Sequence, residues 1–339
     1  MFNFLNNITI NQYNTCSDFL YNVSLEKIKK ENKKLKMNTL DYFIEMVEDK
    51  KEKDLYEFIL DMDMRFFKIQ IYNITSFFIT CKYEKEDSIF IMCIPEEIYS
   101  NKKYMELFIK SYKNYCIETL NTKQITLEIN NYYNTDLNVL KKYNFEPGLY
   151  ALNKTNLSLH KNDINVKKII FEKIDNKIKY LNGDEVNINE LLKLWKSFIL
   201  EEDGYDKTNI IDKTHTFKNA IEELKPLIKN DKNRIKNFYV YLNKNDKMCG
   251  FSCGVYQYNK DKTKSYYISF LFVANEERGK GISTSLLEVH ENFAKNNNFN
   301  EIDLSVLGNN LNAKNIYIKK HKYQIERTLF VFNVCDKIL

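Results

Sequence analysis

The alternation of apolar and polar residues over residues 266–287 predicts a strand, a turn and a helix in immediate succession. An apolar run rich in β-branched and aromatic residues occupies 267–273, which is typical of a strand. Apolar residues then recur at helical spacing from Ile282. Gly279 and Gly281, two of only eight glycines in 339 residues, lie where the strand passes into the helix. Glycine lets a backbone approach a ligand closely, and the N–H groups of a helix's first turn attract anions. The pattern therefore predicts a ligand that carries phosphate.

The remaining periodicity predicts elements in the same order in both halves of the chain. Antiparallel strands are followed by a helix, a strand, a second helix and a last strand. In the N-terminal half the predicted strands are 4–10, 66–72, 76–83, 88–94, 124–129 and 148–152, and the predicted helices are 24–37, 38–48, 102–120 and 135–143. In the C-terminal half the further predicted strands are 169–174, 237–242, 248–258 and 302–307, and the further helices are 187–201 and 216–228. This order indicates an α+β (mixed α/β) fold with mostly antiparallel sheets flanked by helices.

The length indicates two domains, because 339 residues exceed one average domain. A polar stretch with few apolar residues separates the two sets of predicted elements. We therefore expect an N-terminal domain over 1–154, a linker over 155–168 and a C-terminal domain over 169–339.

Charge and composition narrow the class of protein. The net charge of +5 comes from 51 basic and 46 acidic residues spread along the chain, so no nucleic acid is expected as a partner. No apolar run reaches the length of a membrane span and the N-terminus lacks the pattern of an export signal, so a cytoplasmic location is expected. Seven cysteines and four histidines are scattered, and Cys249 and Cys253 are interpreted as core residues of one strand face. Neither a disulfide framework nor a metal site is expected.

Two familiar phosphate-binding loops are excluded, because the chain has neither GxxxxGK[ST] nor GxGxxG at this place. The segment 278–283 instead resembles the [Q/R]xxGx[G/A] loop with which GCN5-related N-acetyltransferases (GNAT) bind the pyrophosphate of acyl-CoA. Arg278 and Gly281 stand at the first and fourth positions of that motif. Ser283 stands where the family usually has glycine or alanine, and serine is still short and keeps its N–H.

A second motif follows at the expected distance. Asn310, Ala313 and Tyr317 match the family pattern NxxAxxxYxK after the predicted strand 302–307. The glycine that usually precedes an aromatic residue after this helix is missing, and Tyr323 stands one place late. The resemblance extends over about half of the chain.

The resemblance implies transfer of an acetyl group from acetyl-CoA to an amine of a small molecule or peptide, by direct attack of the amine on the thioester. It implies that the strand before the loop diverges from its neighbour, that the loop binds the pyrophosphate, and that Tyr317 donates a proton to the departing thiolate. The residues that it places at the cofactor are Leu271, Phe272, Val273, Arg278, Gly279, Lys280, Gly281, Ile282, Ser283, Thr284, Asn310, Asn312 and Tyr317.

The sequence does not decide which residues contact the acceptor or act as the general base. Glu201, Glu202 and Asp203 lie on a predicted loop that covers the acceptor in the family, where they would hold a cationic amine or act as base; an exposed acidic helix end is the alternative. The general base is therefore not assigned. His290 and His321 are interpreted as structural residues.

The N-terminal half resembles a degenerate copy of the same fold. The positions that correspond to Arg278, Gly281, Ser283 and Tyr317 are occupied, in that order, by Ile98, Asn101, Lys103 and Leu140. The order of predicted elements is kept, but the residues of the two acyl-CoA motifs are absent. The chain thus resembles two tandem GNAT-like domains, as in mycothiol synthase-like acetyltransferases.

Two other functions remain as alternatives. One is a non-catalytic sensor or scaffold that binds acyl-CoA. The other is an aminoacyl transferase that uses charged transfer RNA, which would bind RNA with a steep dependence on salt and would leave the acyl-CoA loop without a purpose.

Overall fold

The computed structural model describes residues 2–5, 8–35, 38–82, 88–118, 122–130, 137–155, 178–180, 188–206, 236–258 and 264–333. These residues form two compact units. The N-terminal unit consists of described residues up to Tyr150 and from Glu326 onwards, and the C-terminal unit consists of those from Ala151 to Ile325. The last strand therefore groups with the N-terminal unit, whereas the sequence placed it in a domain over 169–339. The cause is backbone pairing, since residues 327–333 form an antiparallel ladder with residues 124–130.

The N-terminal unit contains most of the helices. Its helices are α1 (Cys16–Asn22), α2 (Leu25–Leu35), α3 (Asn38–Glu48), α4 (Glu52–Asp61), α5 (Glu96–Tyr99), α6 (Lys102–Glu118) and α7 (Leu137–Lys142). Its strands are β1 (Phe2–Leu5), β2 (Ile8–Gln12), β3 (Arg65–Ile71), β4 (Ile74–Lys82), β5 (Ser88–Cys93) and β6 (Gln124–Asn130). The boundary between the units falls inside β7 (Glu146–Thr155) and β13 (Gln324–Asn333).

The sheet of the N-terminal unit is mostly antiparallel. Strands β1 to β5 pair in sequence order with antiparallel neighbours, β5 pairs with β6 in parallel, and β6 pairs with β13. From Phe67 to Ile71 alternate residues of β3 are buried, as the two-residue period of a strand requires, and Phe66 on the other face is buried as well. Phe67 stacks on Phe78 across the β3–β4 pair, and Phe78 contacts Phe108 of α6 edge to face. Aromatic packing of sheet against helix therefore forms this core.

The observed elements confirm most of the sequence predictions. Helices α1 and α5 were not predicted, and three other segments differ from their prediction. The predicted strand 4–10 is two paired strands, β1 and β2. Helix α4 was not predicted, because it begins with the charged residues Glu52, Lys53 and Asp54, which show no apolar periodicity. The third correction concerns 187–201, which continues as a helix to Tyr205. The predicted linker 155–168, strand 169–174 and helix 216–228 lie outside the described residues, apart from Thr155.

The C-terminal unit contains β8 (Ile178–Tyr180), α8 (Ile188–Tyr205), β9 (Lys236–Leu242), β10 (Met248–Tyr258), β11 (Lys264–Val273), α9 (Ile282–Asn296), β12 (Glu301–Leu307) and α10 (Leu311–Asn315). Strands β8 to β11 are antiparallel neighbours, and β11 pairs with β12 in parallel. The fold is thus a mixed α/β fold with mostly antiparallel strands, as predicted.

Two helices cover opposite faces of this sheet. Trp195 of α8 packs in one buried cluster with Phe238 and Val240, whereas Leu286 of α9 packs in another with Tyr239. Successive residues of a strand point to opposite faces, so alternate residues of β9 pack against α8 and α9. Burying both faces fixes the position of α9 against β11.

A buried polar network ties α9 to the strands beneath it. His290 is fully buried, with Nδ1 2.5 Å from Tyr266 Oη and Nε2 2.9 Å from Ser252 Oγ. Gly254 makes this network sterically feasible, because a Cβ there would lie 2.0 Å from Tyr266 Oη. Burial disfavours the charged imidazolium and lowers the pKa of His290 from 6.5 to about 3.

This pKa predicts an acid-dependent loss of stability. Below pH 6.5 the unfolded chain binds a proton at His290 that the folded chain binds only near pH 3, so stability falls as pH falls between these values. We expect the wild type to lose about 2 kcal/mol more than His290→Gln between pH 7 and pH 5. The measurement is urea unfolding followed by fluorescence of Trp195, the chain's one tryptophan, which lies in this unit. Equal pH dependence in both proteins would contradict the role of His290.

Candidate functional site

Strands β11 and β12 diverge halfway along their length. Their parallel register runs from Ser265 opposite Glu301 to Ile268 opposite Leu304, and no pairing between the two is found beyond it in the described residues. At the same point the register of β11 against β10 shifts, because Phe270 faces Cys253 while Ile268 faces Gly254. Ser269 is the extra residue of a β-bulge, and a bulge bends its strand. The backbone of 269–273 is thereby left open on the side of β12, as the resemblance implied.

A cavity of about 510 Å³ opens at this divergence, inside the C-terminal unit. Its wall contains every residue that the sequence placed at the cofactor except Lys280. Glu201 and Glu202 also line it, and Asp203 does not. The structure therefore brings the two sequence motifs together around one space. The buried residues His290 and His321 lie outside this wall.

The loop before α9 has the geometry of an anion-binding helix start. Gly279 and Gly281 have φ values of 77° and 82°, a region that disfavours residues with a side chain. Gly281 is the N-cap of α9, and no side chain caps this helix. The first backbone bond of α9 runs from Ser285 N to Gly281 O at 3.1 Å. Within the described residues, the amides of Ile282, Ser283 and Thr284 have no acceptor, as expected of a first helical turn. Free amides and the helix dipole favour an anion at this point.

The two cations of the loop are already engaged with carboxylates. Arg278 Nη2 lies 2.5 Å from Glu201 Oε2, and Arg278 Nε donates to the carbonyl of Val273 at 2.9 Å. Lys280 pairs with Glu277 at 2.7 Å and does not line the cavity. Arg278 was expected at the pyrophosphate, and in the structure its guanidinium holds α8 to the end of β11.

Glu201, Glu202 and Asp203 lie on a helix. The sequence predicted a polar loop from Glu201 onwards, but α8 continues to Tyr205. This correction places Glu201 and Tyr205 one helical turn apart on one face, where both line the cavity. Burial and the neighbouring Glu201 carboxylate raise the pKa of Tyr205. Tyr205 was not identified from the sequence. Its position four residues after Glu201 could have indicated that the two share one helix face.

The second motif forms a capped helix followed by a wide turn. Asn310 Oδ1 accepts from the amide of Ala313 at 3.1 Å, so the asparagine of the motif is the N-cap of α10. A π-helical turn, Ile316–Lys320, follows and closes with His321 N donating to Ile316 O at 3.2 Å. Such turns often occur at functional sites.

Tyr317 lies on this π-helical turn, in the cavity wall. Its side chain is buried, and burial raises its pKa to about 12 because the phenolate is disfavoured. The phenol therefore keeps its proton at neutral pH and has one to donate.

The corresponding helix start in the N-terminal unit is closed to an anion. Asn101 Oδ1 accepts from the amides of Lys103 at 3.0 Å and Tyr104 at 3.2 Å, so the first turn of α6 is capped by its own chain. Buried Tyr99 donates to the carbonyl of Glu128 at 2.6 Å. Leu140, the counterpart of Tyr317, is fully buried and carries no proton to donate.

The diverging strands and the open helix start define a GNAT-type fold, and the comparison with protein families agrees. Residues 205–323 match the model of the acetyltransferase (GNAT) family, so the chain carries a GNAT domain in its C-terminal half. No curated protein matches the chain.

Solved structures with similarity to this chain include three acetyltransferase-related proteins. A GCN5-related N-acetyltransferase from Sphaerobacter thermophilus is 11% identical over 79% of this chain and 80% of its own, with a TM-score of 0.44. A tandem GNAT protein from the clavulanic acid biosynthesis pathway is 6% identical over 80% and 82%, with a TM-score of 0.40. An aminoglycoside acetyltransferase from an uncultured soil metagenomic sample is 19% identical over 44% and 90%, with a TM-score of 0.32.

Membrane-spanning helices and metal-binding clusters are both missing from the described part of the chain. Among these residues, no helix combines the length and the apolar character needed to cross a bilayer. The same residues contain no group of three or more histidine, cysteine, aspartate or glutamate side chains placed to hold a metal ion.

Proposed function

We propose that the C-terminal unit is an N-acetyltransferase that uses acetyl-CoA and acts on an amine of a small molecule or peptide. One observation carries the proposal: the unpaired amides at the start of α9 open into the cavity between the diverging strands. The amides offer donors to a diphosphate. The open edge of residues 269–273 offers backbone groups to the two amides of the pantetheine arm, as a neighbouring strand would.

The proposed reaction is direct acyl transfer. The amine nitrogen forms a bond to the thioester carbonyl carbon, and the bond from that carbon to sulfur breaks. Tyr317 Oη donates its proton to the departing sulfur, the attacking nitrogen releases one proton to water or to a base, and Tyr317 recovers a proton from solvent, so that no net proton is gained or lost. Burial raises the pKa of Tyr317 to about 12, so the phenol holds its proton at neutral pH and is a weaker acid than a tyrosine of ordinary pKa.

The acceptor end of the cavity is proposed to lie at α8. Glu201, Glu202 and Tyr205 are the polar groups that this helix adds to the wall. Carboxylates attract a cationic amine and accept its hydrogen bonds. Glu201 is paired with Arg278, and Glu202 lines the same cavity, so both carboxylates are candidates for the contact with the acceptor.

The N-terminal half is proposed to be a degenerate GNAT-like copy in a tandem arrangement. Its capped helix start and its leucine at the tyrosine position support this. One acetyl-CoA per chain follows from the proposal.

The activity is tested by release of thiol. The protein is incubated with acetyl-CoA and a panel of amines, and free CoA thiol is measured against the reaction without protein. We expect release above the spontaneous rate with at least one amine and formation of the acetylated amine by mass spectrometry. Tight acetyl-CoA binding without release for any amine would favour a sensor or scaffold. Salt-dependent binding of RNA without acetyl-CoA binding would favour aminoacyl transfer.

A further inference from the structure

A third cation, outside both sequence motifs as matched, reaches the anion-binding end of the cavity. Lys320, the last residue of the π-helical turn, donates from Nζ to Thr284 Oγ1 at 2.7 Å and lines the cavity. Thr284 belongs to the first turn of α9, whose amides are unpaired. The ammonium group of Lys320 therefore lies beside those amides.

Charge distinguishes Lys320 from the arginine and the lysine of the loop. Arg278 is paired with Glu201 and Lys280 with Glu277, so carboxylates offset the charge of both. The bonding partner of Lys320 is a neutral hydroxyl, and no carboxylate lies within ion-pair distance of it in the described part of the chain. Its positive charge is left available for an anion that enters the cavity.

We propose that Lys320 is the residue whose charge binds the pyrophosphate of acetyl-CoA, in place of the arginine of the loop motif. The inference rests on the proposed function, since it concerns the same cavity. Lys320 and Tyr317 belong to the same π-helical turn, and both line the cavity. Pyrophosphate binding at Lys320 would therefore also position the turn that carries Tyr317.

The test compares Lys320→Gln with Lys319→Gln by calorimetry. Lys319 is the neighbouring residue on the same turn, is exposed, and does not line the cavity. We expect Lys320→Gln to raise the Kd for acetyl-CoA about tenfold, as for loss of a charge-assisted hydrogen bond, and to reduce its dependence on salt. Lys319→Gln should bind as the wild type does.

Dephospho-CoA, which lacks the 3′-phosphate but keeps the pyrophosphate, separates the two phosphate groups of the ligand. The proposal expects the same loss in Lys320→Gln with CoA and with dephospho-CoA. A loss that disappears with dephospho-CoA would overturn it in favour of a 3′-phosphate contact, and wild-type affinity in Lys320→Gln would overturn it altogether. Failure of the proposed function is distinguishable, because the wild type would then either not bind acetyl-CoA or bind it without releasing thiol with any amine, whatever the affinity of Lys320→Gln. Both lysines are exposed, and thermal unfolding checks that the variants stay folded.

Discussion

Gly281→Glu is expected to abolish binding of acetyl-CoA. Gly281 is the N-cap of α9, and a Cβ built on it meets no atom within 4 Å, so the new side chain projects into open space at the site. Its carboxylate would compete for the unpaired amides and repel the phosphates. We expect affinity to fall by about a hundredfold or more, measured by calorimetry.

Gly281→Ala is the matched control for backbone strain. The φ of 82° disfavours any residue with a Cβ, so both variants carry a similar stability penalty of about 1 kcal/mol. Alanine adds neither charge nor length, and its affinity should stay within a few-fold of the wild type. Loss of binding in the alanine variant as well would point to strain rather than to charge. Undiminished binding in Gly281→Glu would remove the pyrophosphate site from this loop.

No second site should rescue Gly281→Glu. Asn101 occupies the corresponding amides in the N-terminal unit with its own side chain. Titration of the wild type should therefore give one acetyl-CoA per chain, and titration of the variant none. Two equivalents bound by the wild type would contradict the interpretation of the N-terminal unit as degenerate.

Tyr317→Phe is expected to leave acetyl-CoA binding intact and to slow acetyl transfer by about a hundredfold, the lower range for loss of a general acid. The phenol ring packs in the cavity wall and the substitution keeps that ring, so the fold is preserved. The assay is release of CoA thiol with the best acceptor amine. Because burial raises the pKa of Tyr317 to about 12, this residue should cause no alkaline loss of activity below about pH 11 in the wild type.

The control for this variant is Tyr323→Phe. Tyr323 is a buried neighbour whose ring centroid lies 6.2 Å from that of Tyr317, and it does not line the cavity. Its loss of a hydroxyl should change stability more than turnover. Equal turnover of the wild type and Tyr317→Phe would deprive Tyr317 of its role.

Local patterns predicted the elements around the site because each depends on neighbouring residues. The run 267–273 lies within β11, and the helical spacing from Ile282 corresponds to α9. Periodicity failed where charge obscured it: α4 begins in a cluster of lysine and glutamate residues, and α8 extends through Glu201 and Glu202. Charged residues are compatible with an exposed helix end and with a loop, so composition could not separate the two.

The amino-acid sequence by itself predicted an uncapped helix start after β11, because the amides of a first helical turn have no partner within the helix and glycine has no side chain to cap them. It also determined that Asn310 and Tyr317 belong to one motif. Only the tertiary structure decided which charged side chains near this helix start are paired, and with which partners. Arg278 meets Glu201, 77 residues away, and Lys320 meets Thr284, 36 residues away. Such pairings arise when the sheet and its helices come together in space, and no local spacing along the chain encodes them.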